Sequence, residues 1–183
     1  MIDLTKALLE RYGTRKPREI GRYWTSELYA VTHGWITPKD FLNPPKKRLL
    51  QCFQMWQGVG KHKQVQELLE VMGYVCEPKI EHHGDGWVLV GKADALRQDH
   101  GLEIKTSDIV HEKAHASAVY QAKILCSLFN VPVMYVVQPI TVEGHVKLKQ
   151  TGIAKRSDDW FGEQTVKLDL FHKELVHYGQ SIS

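Results

Sequence analysis

"GKADALRQDHGLEIKTS", residues 91–107, sets Asp94 on one apolar run and Glu103 and Lys105 on the next, with the turn-like RQDHG between them. Side chains alternate along a strand, so Glu103 and Lys105 share one face while Ile104 turns the other way into a core. Antiparallel pairing through RQDHG brings Asp94 to the Glu103 face, within a few ångströms of that carboxylate. Two carboxylates held so close repel, and a bound cation is the usual way for both to stay ionised. Oxygen ligands suit Mg²⁺ or Mn²⁺ better than Zn²⁺. Lys105 then adds an ammonium able to orient water or stabilise charge developing on a phosphate. Acid, acid, lysine and a hard cation point to phosphodiester hydrolysis.

The flanks of this hairpin read as alternating helices and strands. A short helix is expected over residues 4–12, followed by a basic loop, GTRKPRE. TSELYAVTHG reads as a helix with Thr25 or Ser26 as N-cap and Gly34 at its end. TPKDFLNPPKK reads as irregular, broken by Pro38, Pro44 and Pro45. A long helix is expected over 46–72, interrupted near GVG (58–60), with Val65, Leu68, Leu69 and Met72 on its apolar face. YVCEPKIEHH and GWVLVGKADAL read as strands, EKAHASAVYQAKILCSLFN as a helix, and VPVMYVVQP as a fully apolar central strand. GHVKLKQTG reads as an edge strand and EQTVKLDLFHKELVHYG as a final helix. This order predicts an α/β fold, a mixed central sheet flanked by helices.

Bulk properties narrow the class. The 183 residues are 43% hydrophobic and 25% charged, as in an ordinary globular domain. The longest apolar run, VPVMYVV, is too short to span a membrane, and MIDLTKALLERYGTRKPR lacks the apolar centre of a signal peptide. Cys52, Cys76 and Cys126 are odd in number and scattered, which fits reduced thiols in a cytoplasmic protein and offers no CxxC zinc spacing. The net charge of +3 is uneven: residues 1–63 hold 12 Lys/Arg against 5 Asp/Glu, leaving 12 against 16 in the remainder. A basic front points to contact with a polyanion. Arg15, Lys16, Arg18, Lys46, Lys47 and Arg48 are the candidates for backbone contacts, which should weaken as salt rises.

GKADAL…LEIKTS resembles the core of the PD-(D/E)XK nuclease superfamily, in which an Asp precedes an (E/D)-X-K strand, although no proline stands before Asp94 here. Its G-x-A-D followed by E-I-K-T is similar to the RecB-like branch, which includes CRISPR-adaptation and phage nucleases. GKHKQVQELL resembles that branch's upstream G-x-H helix, which implies His62 as a metal ligand. YQAKILCSLF resembles the following helix with its Gln-x-x-x-Tyr motif: Gln121 matches, whereas position 125 is Leu in place of the tyrosine. SELYAVTHGW resembles the opening helix, so the likeness runs from about residue 22 to residue 140. Many relatives hold an iron–sulfur cluster on four cysteines; three scattered cysteines imply none here.

The resemblance implies a restriction-endonuclease-like core. It also implies a metal-dependent deoxyribonuclease, an exonuclease acting in DNA processing, recombination or repair. His62, Asp94, Glu103 and the carbonyl of Ile104 would hold Mg²⁺ or Mn²⁺, with Asp94, Glu103, Lys105 and Gln121 as the catalytic set. The partner would be DNA, single- or double-stranded; an oligomeric ring would leave no motif to read. One domain is expected over 1–183, with a helical basic front (1–72), a sheet core with the site (73–150) and a helical tail (151–183).

Other readings compete. A catalytically inactive nucleic-acid-binding protein on the same fold is one, kept open by Leu125. HEKAH (111–115) satisfies the H-E-x-x-H string, so a zinc hydrolase using His111 and His115, with Glu143 or His145 as third ligand, is another. Glu77 reads as a strand-end charge or an accessory acid, and Thr106 and Ser107 as phosphate contacts or turn caps. Trp24, Trp35 and Trp56 lie near the basic front, where they suit base stacking, although core packing is the commoner use of tryptophan.

Overall fold

A computed structural model of the chain describes residues 4–13, 18–107 and 109–182. Arg15 and Lys16 lie outside the described residues. The chain opens with a short helix, α1 (Thr5–Leu8), and a π-helical turn over Leu9–Gly13. A strand, β1 (Arg22–Trp24), leads directly into α2 (Thr25–Thr32). Trp24, not Thr25 or Ser26, is the N-cap residue, its backbone N–H donating to the Glu27 carboxylate at 3.3 Å. Gly34, with φ at +68°, follows the end of α2 as expected.

The supposedly irregular 37–47 stretch contains α3 (Pro38–Leu42). Thr37 caps it by accepting from the Asp40 N–H at 3.2 Å, and Pro38 fits the first turn, where no N–H partner is needed. Next, α4 (Leu49–Val71) runs without the interruption expected at GVG. A glycine in a helix interior costs only about 1 kcal/mol, and Gly58 lies against Thr106, whose hydroxyl donates to the Gly58 carbonyl at 3.4 Å. The buried residues of α4 are Cys52, Val65, Gln66 and Leu69; Leu68 and Met72, expected inside, are exposed.

Strands then follow: β2 (Val75–Cys76), β3 (Lys79–His83), β4 (Val88–Lys92), β5 (Ala95–Leu96) and β6 (Gly101–Ile104). YVCEPKIEHH is thus two strands, split where Glu77 takes a positive φ of 55° before Pro78. The helix α5 (Ala116–Leu128) crosses to β7 (Val133–Val142), which turns back as β8 (His145–Lys155) before α6 (Asp158–Ile182).

The strands form two sheets, ordered β1-β4-β3 and β2-β5-β6-β7-β8. In the five-stranded sheet β6 and β7 are parallel and the other pairs antiparallel, so the sheet is mixed. The apolar β7 is interior and β8 forms the edge, both as the patterning predicts. Val65 and Leu69 of α4 pack with Ala95, Leu102, Ile104 and Val137 on one face of this sheet. Ala118, Ala122 and Leu125 of α5 pack with Met134, Val136 and Ala154 on the other. A third cluster joins Tyr23, Leu28, Phe41, Leu89, Tyr120, Leu168 and Leu175, closing the front of the chain onto α6. Among the described residues, no helix is long and apolar enough to cross a membrane.

The opening hairpin is real but short. Only Ala95↔Leu102 and Leu96↔Gly101 pair, while β4 belongs to the other sheet. Asp94 therefore stands at the step from one sheet to the next.

Candidate active site

Glu103 sits near the end of β6, whose four residues are all buried, and its side chain is 3% exposed. Ile104 turns away into the α4-facing core, as strand alternation requires. Lys105, whose backbone N–H donates to the Val137 carbonyl at 2.9 Å, returns to the Glu103 side. Its ammonium donates to Glu103 Oε1 at 2.6 Å and to Gln121 Oε1 of α5 at 3.4 Å. An ammonium carries three donors. Two are used here, and the lysine side chain is 45% exposed, so the third can face a substrate.

Asp94 is fixed at both ends. Its Oδ2 accepts from the Ile104 backbone N–H at 2.6 Å, and its Oδ1 lies 3.1 Å from His62 Nε2 on α4. Its own carbonyl accepts from Gln66 Nε2 at 3.0 Å and from the Glu77 N–H at 3.2 Å. The bond to Asp94 raises the His62 pKa above its ordinary value, against the opposing effect of burial, with the charges of Asp94 and Glu103 adding to it. Helices α4 and α5 thus reach the end of β6 from opposite faces of the sheet.

Glu103 is the unusual member. Burial and the neighbouring Asp94 charge push its carboxyl up to about 7, although Lys105 and His62 pull the other way. Its Oε2 is buried and accepts no hydrogen bond. A fully buried, unpartnered carboxylate oxygen beside a second carboxylate is a costly arrangement unless something positive joins it. The donor set of two carboxylates, an imidazole and a backbone carbonyl fits a hard divalent cation. As the side chains stand, no three His, Cys, Asp or Glu among the described residues converge on one point. His62 is turned onto Asp94, and Glu103 onto Lys105.

The other candidates separate clearly. HEKAH is not helical: α5 begins at Ala116, and His115 is its N-cap, accepting from the Ser117 N–H at 3.2 Å. His111 and His115 therefore do not form a helical pair. Glu112 is exposed and bonded to Lys149 at 2.9 Å, and the zinc-hydrolase reading loses its geometry. Glu77 adjoins Asp94 through its backbone N–H, but its carboxylate pairs with Lys92 at 2.8 Å. Leu125 is fully buried in the sheet-facing core, one turn below Gln121. Trp24, Trp35 and Trp56 are exposed, against the expectation of core packing. Arg18 is largely buried, pairing with Glu27 at 2.6 Å and lying over the Phe41 ring, so it is a structural cation. Lys46 and Arg48 are exposed.

Gln66 was not legible from sequence. A buried glutamine one helical turn after His62, on a face otherwise apolar, was its one signal.

No protein-family model matches the sequence, and no curated protein is similar to it at a significant level. Solved structures are similar in fold. The alkaline exonuclease LHK-Exo from Laribacter hongkongensis superposes with a TM-score of 0.59 at 12% identity, covering 97% of this chain and 95% of that one. LHK-Exo in complex with dAMP gives a TM-score of 0.62 at 15% identity, over 89% and 92%. The crystal structure of SSO0001 gives 0.58 at 16% identity, over 91% and 84%. At such identities the likeness establishes the fold: a mixed α/β core of the kind found in these structures, as the strand and helix order predicts.

Proposed function

We propose that this chain is a metal-dependent nuclease of the PD-(D/E)XK superfamily, on its RecB-like branch, that hydrolyses phosphodiester bonds in DNA. The observation that carries the reading is the meeting of Asp94, Glu103 and Lys105 at the end of β6, with one buried Glu103 oxygen left unpartnered. The similarity in fold to LHK-Exo, an alkaline exonuclease that has also been solved in complex with dAMP, supports exonuclease action on DNA.

Asp94, Glu103, the Ile104 carbonyl and, after release from Asp94, His62 would hold Mg²⁺ or Mn²⁺. Bound there, the cation would supply Lewis acidity toward a phosphoryl oxygen and neutralise the paired carboxylates. The rest is the work of the chain. Gln121 and Glu103 hold the Lys105 ammonium in place, and its remaining donor orients the attacking water or stabilises charge on the phosphoryl group. Ile104 N–H and Gln66 keep Asp94 against Glu103, so the carboxylates do not swing apart to relieve their repulsion.

Cleavage of end-labelled and circular DNA, single- and double-stranded, tests this in Mg²⁺, Mn²⁺, Zn²⁺ or EDTA, with Lys105→Ala alongside. Cutting in Mg²⁺ or Mn²⁺ that the variant loses is the expected result, and sparing of the circles would establish exonuclease action. DNA binding without cutting by either form would instead favour an inactive binding protein, the reading consistent with Leu125 in place of the superfamily tyrosine.

A further inference from the structure

The helix α4 changes character along a single face. At its C-terminal end Val65 and Leu69 of that face are buried against the five-stranded sheet. Followed back toward the N-terminus, the same stripe passes His62, Lys61, Gly58, Gln54 and Gln51, at the three- and four-residue spacing that aligns side chains on a helix. Here the sheet has ended, and the stripe overhangs the segment that follows β6. Two clefts lie between them, of about 340 and 530 Å³, and Gln54, Gly58 and Thr106 line both. Gln57 and Ser107 line the first and His62 the second, so the pair opens directly onto the candidate active site.

The far wall of the first cleft is held in place. The buried Gln138 of β7 donates to the carbonyls of Ser107 at 3.4 Å and Ile109 at 2.6 Å, and accepts from the His111 N–H at 2.9 Å. Thr106 ties the near edge of that wall to the Gly58 carbonyl. The cleft is thus a built feature with little freedom to collapse. Among the described residues its polar lining is mostly neutral, the amides of Gln54 and Gln57 and the hydroxyls of Thr106 and Ser107, with Lys61 as its cation. A groove made for phosphate alone would be lined by cations. Side-chain amides pair instead with the donor and acceptor edges of bases, and an unpaired nucleotide presents the Watson–Crick edges that a duplex hides. The volumes are those of small-ligand pockets, not of a duplex channel.

We infer that the amide face of α4, Gln54 and Gln57, is a subsite that holds an unpaired nucleotide by its base beside the scissile phosphate; Gln51, nearer the helix start, instead accepts from the Arg48 N–H at 2.9 Å and caps the helix. This rests on the nuclease reading, and it gives the substrate a single-stranded end at the point of cleavage.

The test compares wild type, Gln54→Ala/Gln57→Ala and the control Gln64→Ala, an exposed glutamine of α4 that lines neither cleft. Alanine is well tolerated at helical positions, and thermal melting would verify that all three fold alike. Each cleaves a fluorescein-labelled single-stranded oligonucleotide, intact or carrying an abasic residue at the terminal position, in Mg²⁺. The double variant is expected to raise KM on the intact strand by about tenfold or more, the discrimination typical of an amide–base pair. It should lose the preference for intact over abasic strand that wild type and Gln64→Ala retain. Unchanged KM in an active double variant would overturn the subsite and leave the nuclease reading standing. Equal weakening on intact and abasic strands would overturn base recognition in favour of a backbone contact. A wild type that cuts neither strand in any metal would instead remove the nuclease reading on which the inference stands.

Discussion

Two buried polar regions of this molecule are finished in opposite ways. In the front core, Tyr23 bonds His172 Nδ1 at 2.9 Å, and Tyr120 bonds both Thr32 at 2.7 Å and Gln164 at 3.0 Å. Trp87 reaches Asp169 at 3.3 Å. Each of these buried polar side chains has a partner, as stability demands. At the end of β6 the opposite holds: Glu103 is as deeply buried, yet one of its oxygens has no partner and its carboxyl is pushed up to about 7. The first region is built to stay closed. The second holds in place a carboxyl that Lys105 satisfies on one oxygen only, an arrangement that suits a site built to receive a further positive group.

The sharpest way to break the contrast is catalytic. Lys105→Ala should reduce cleavage by about 10²–10³-fold, the usual loss when one donor to developing charge is removed, read in single-turnover assays at saturating Mg²⁺. An undiminished rate would remove Lys105 from the chemistry. Next in size is metal linkage: Mg²⁺ at a hundred times its Kd should stabilise wild type by about 2.7 kcal/mol. Glu103→Gln and Asp94→Asn should lose most of that gain in thermal melts. A Tm blind to Mg²⁺ in wild type would refute the assignment.

A paired comparison in EDTA comes third. Tyr23→Phe strips His172 of its partner and should cost about 1–3 kcal/mol, the penalty for orphaning a buried polar group. Glu103→Gln should leave the metal-free protein as stable as wild type or more so near neutral pH, because it removes the buried charge. Chemical denaturation at pH 7.5, a condition of about half a unit above the raised carboxyl value, measures both. Equal destabilisation would erase the distinction between the regions.

The smallest effect expected is in the pH profile. Glu103, raised from 4.5 to about 7, favours its protonated form when folded; its contribution is complete below 4.5 and lost as pH rises through about 7. His62, also raised, contributes fully below 6.5 and loses that contribution as pH climbs through its folded value. Burial lowers His172, so its contribution is full above 6.5 and lost as pH falls through its folded value. Metal-free stability should therefore be eroded from the alkaline side by the site and from the acid side by the core. Glu103→Gln should flatten the first limb and leave the second.

Much of the site was legible because it follows from alternation. The order Glu103, Ile104, Lys105 settles which side chains share a face, and the RQDHG turn returns Asp94 opposite Glu103. What sequence could not carry depends on tertiary context. The period of an amphipathic pattern does not distinguish Leu68 and Met72, left in solvent, from Val65 and Leu69, which meet the sheet. Nor does the string HEKAH reveal that His115 turns its ring back to cap a helix. Gln66 meets the candidate site only because the link between β4 and β5 passes beside it carrying the Asp94 carbonyl. The division into two sheets was equally hidden, since it arises at the two residues between β4 and β5 rather than in either strand.

The bonds of the two regions also span very different lengths of chain. At the site, Lys105 reaches Gln121 across 16 residues and Gln66 reaches Asp94 across 28, whereas Tyr23 reaches His172 across 149. Closing a long loop costs more entropy, and distant contacts form late. During folding, the pieces of the candidate site should gather early around the β6–α5–β7 crossover. The front core must wait for α6, so the charged pocket takes shape before the body that encloses it is sealed.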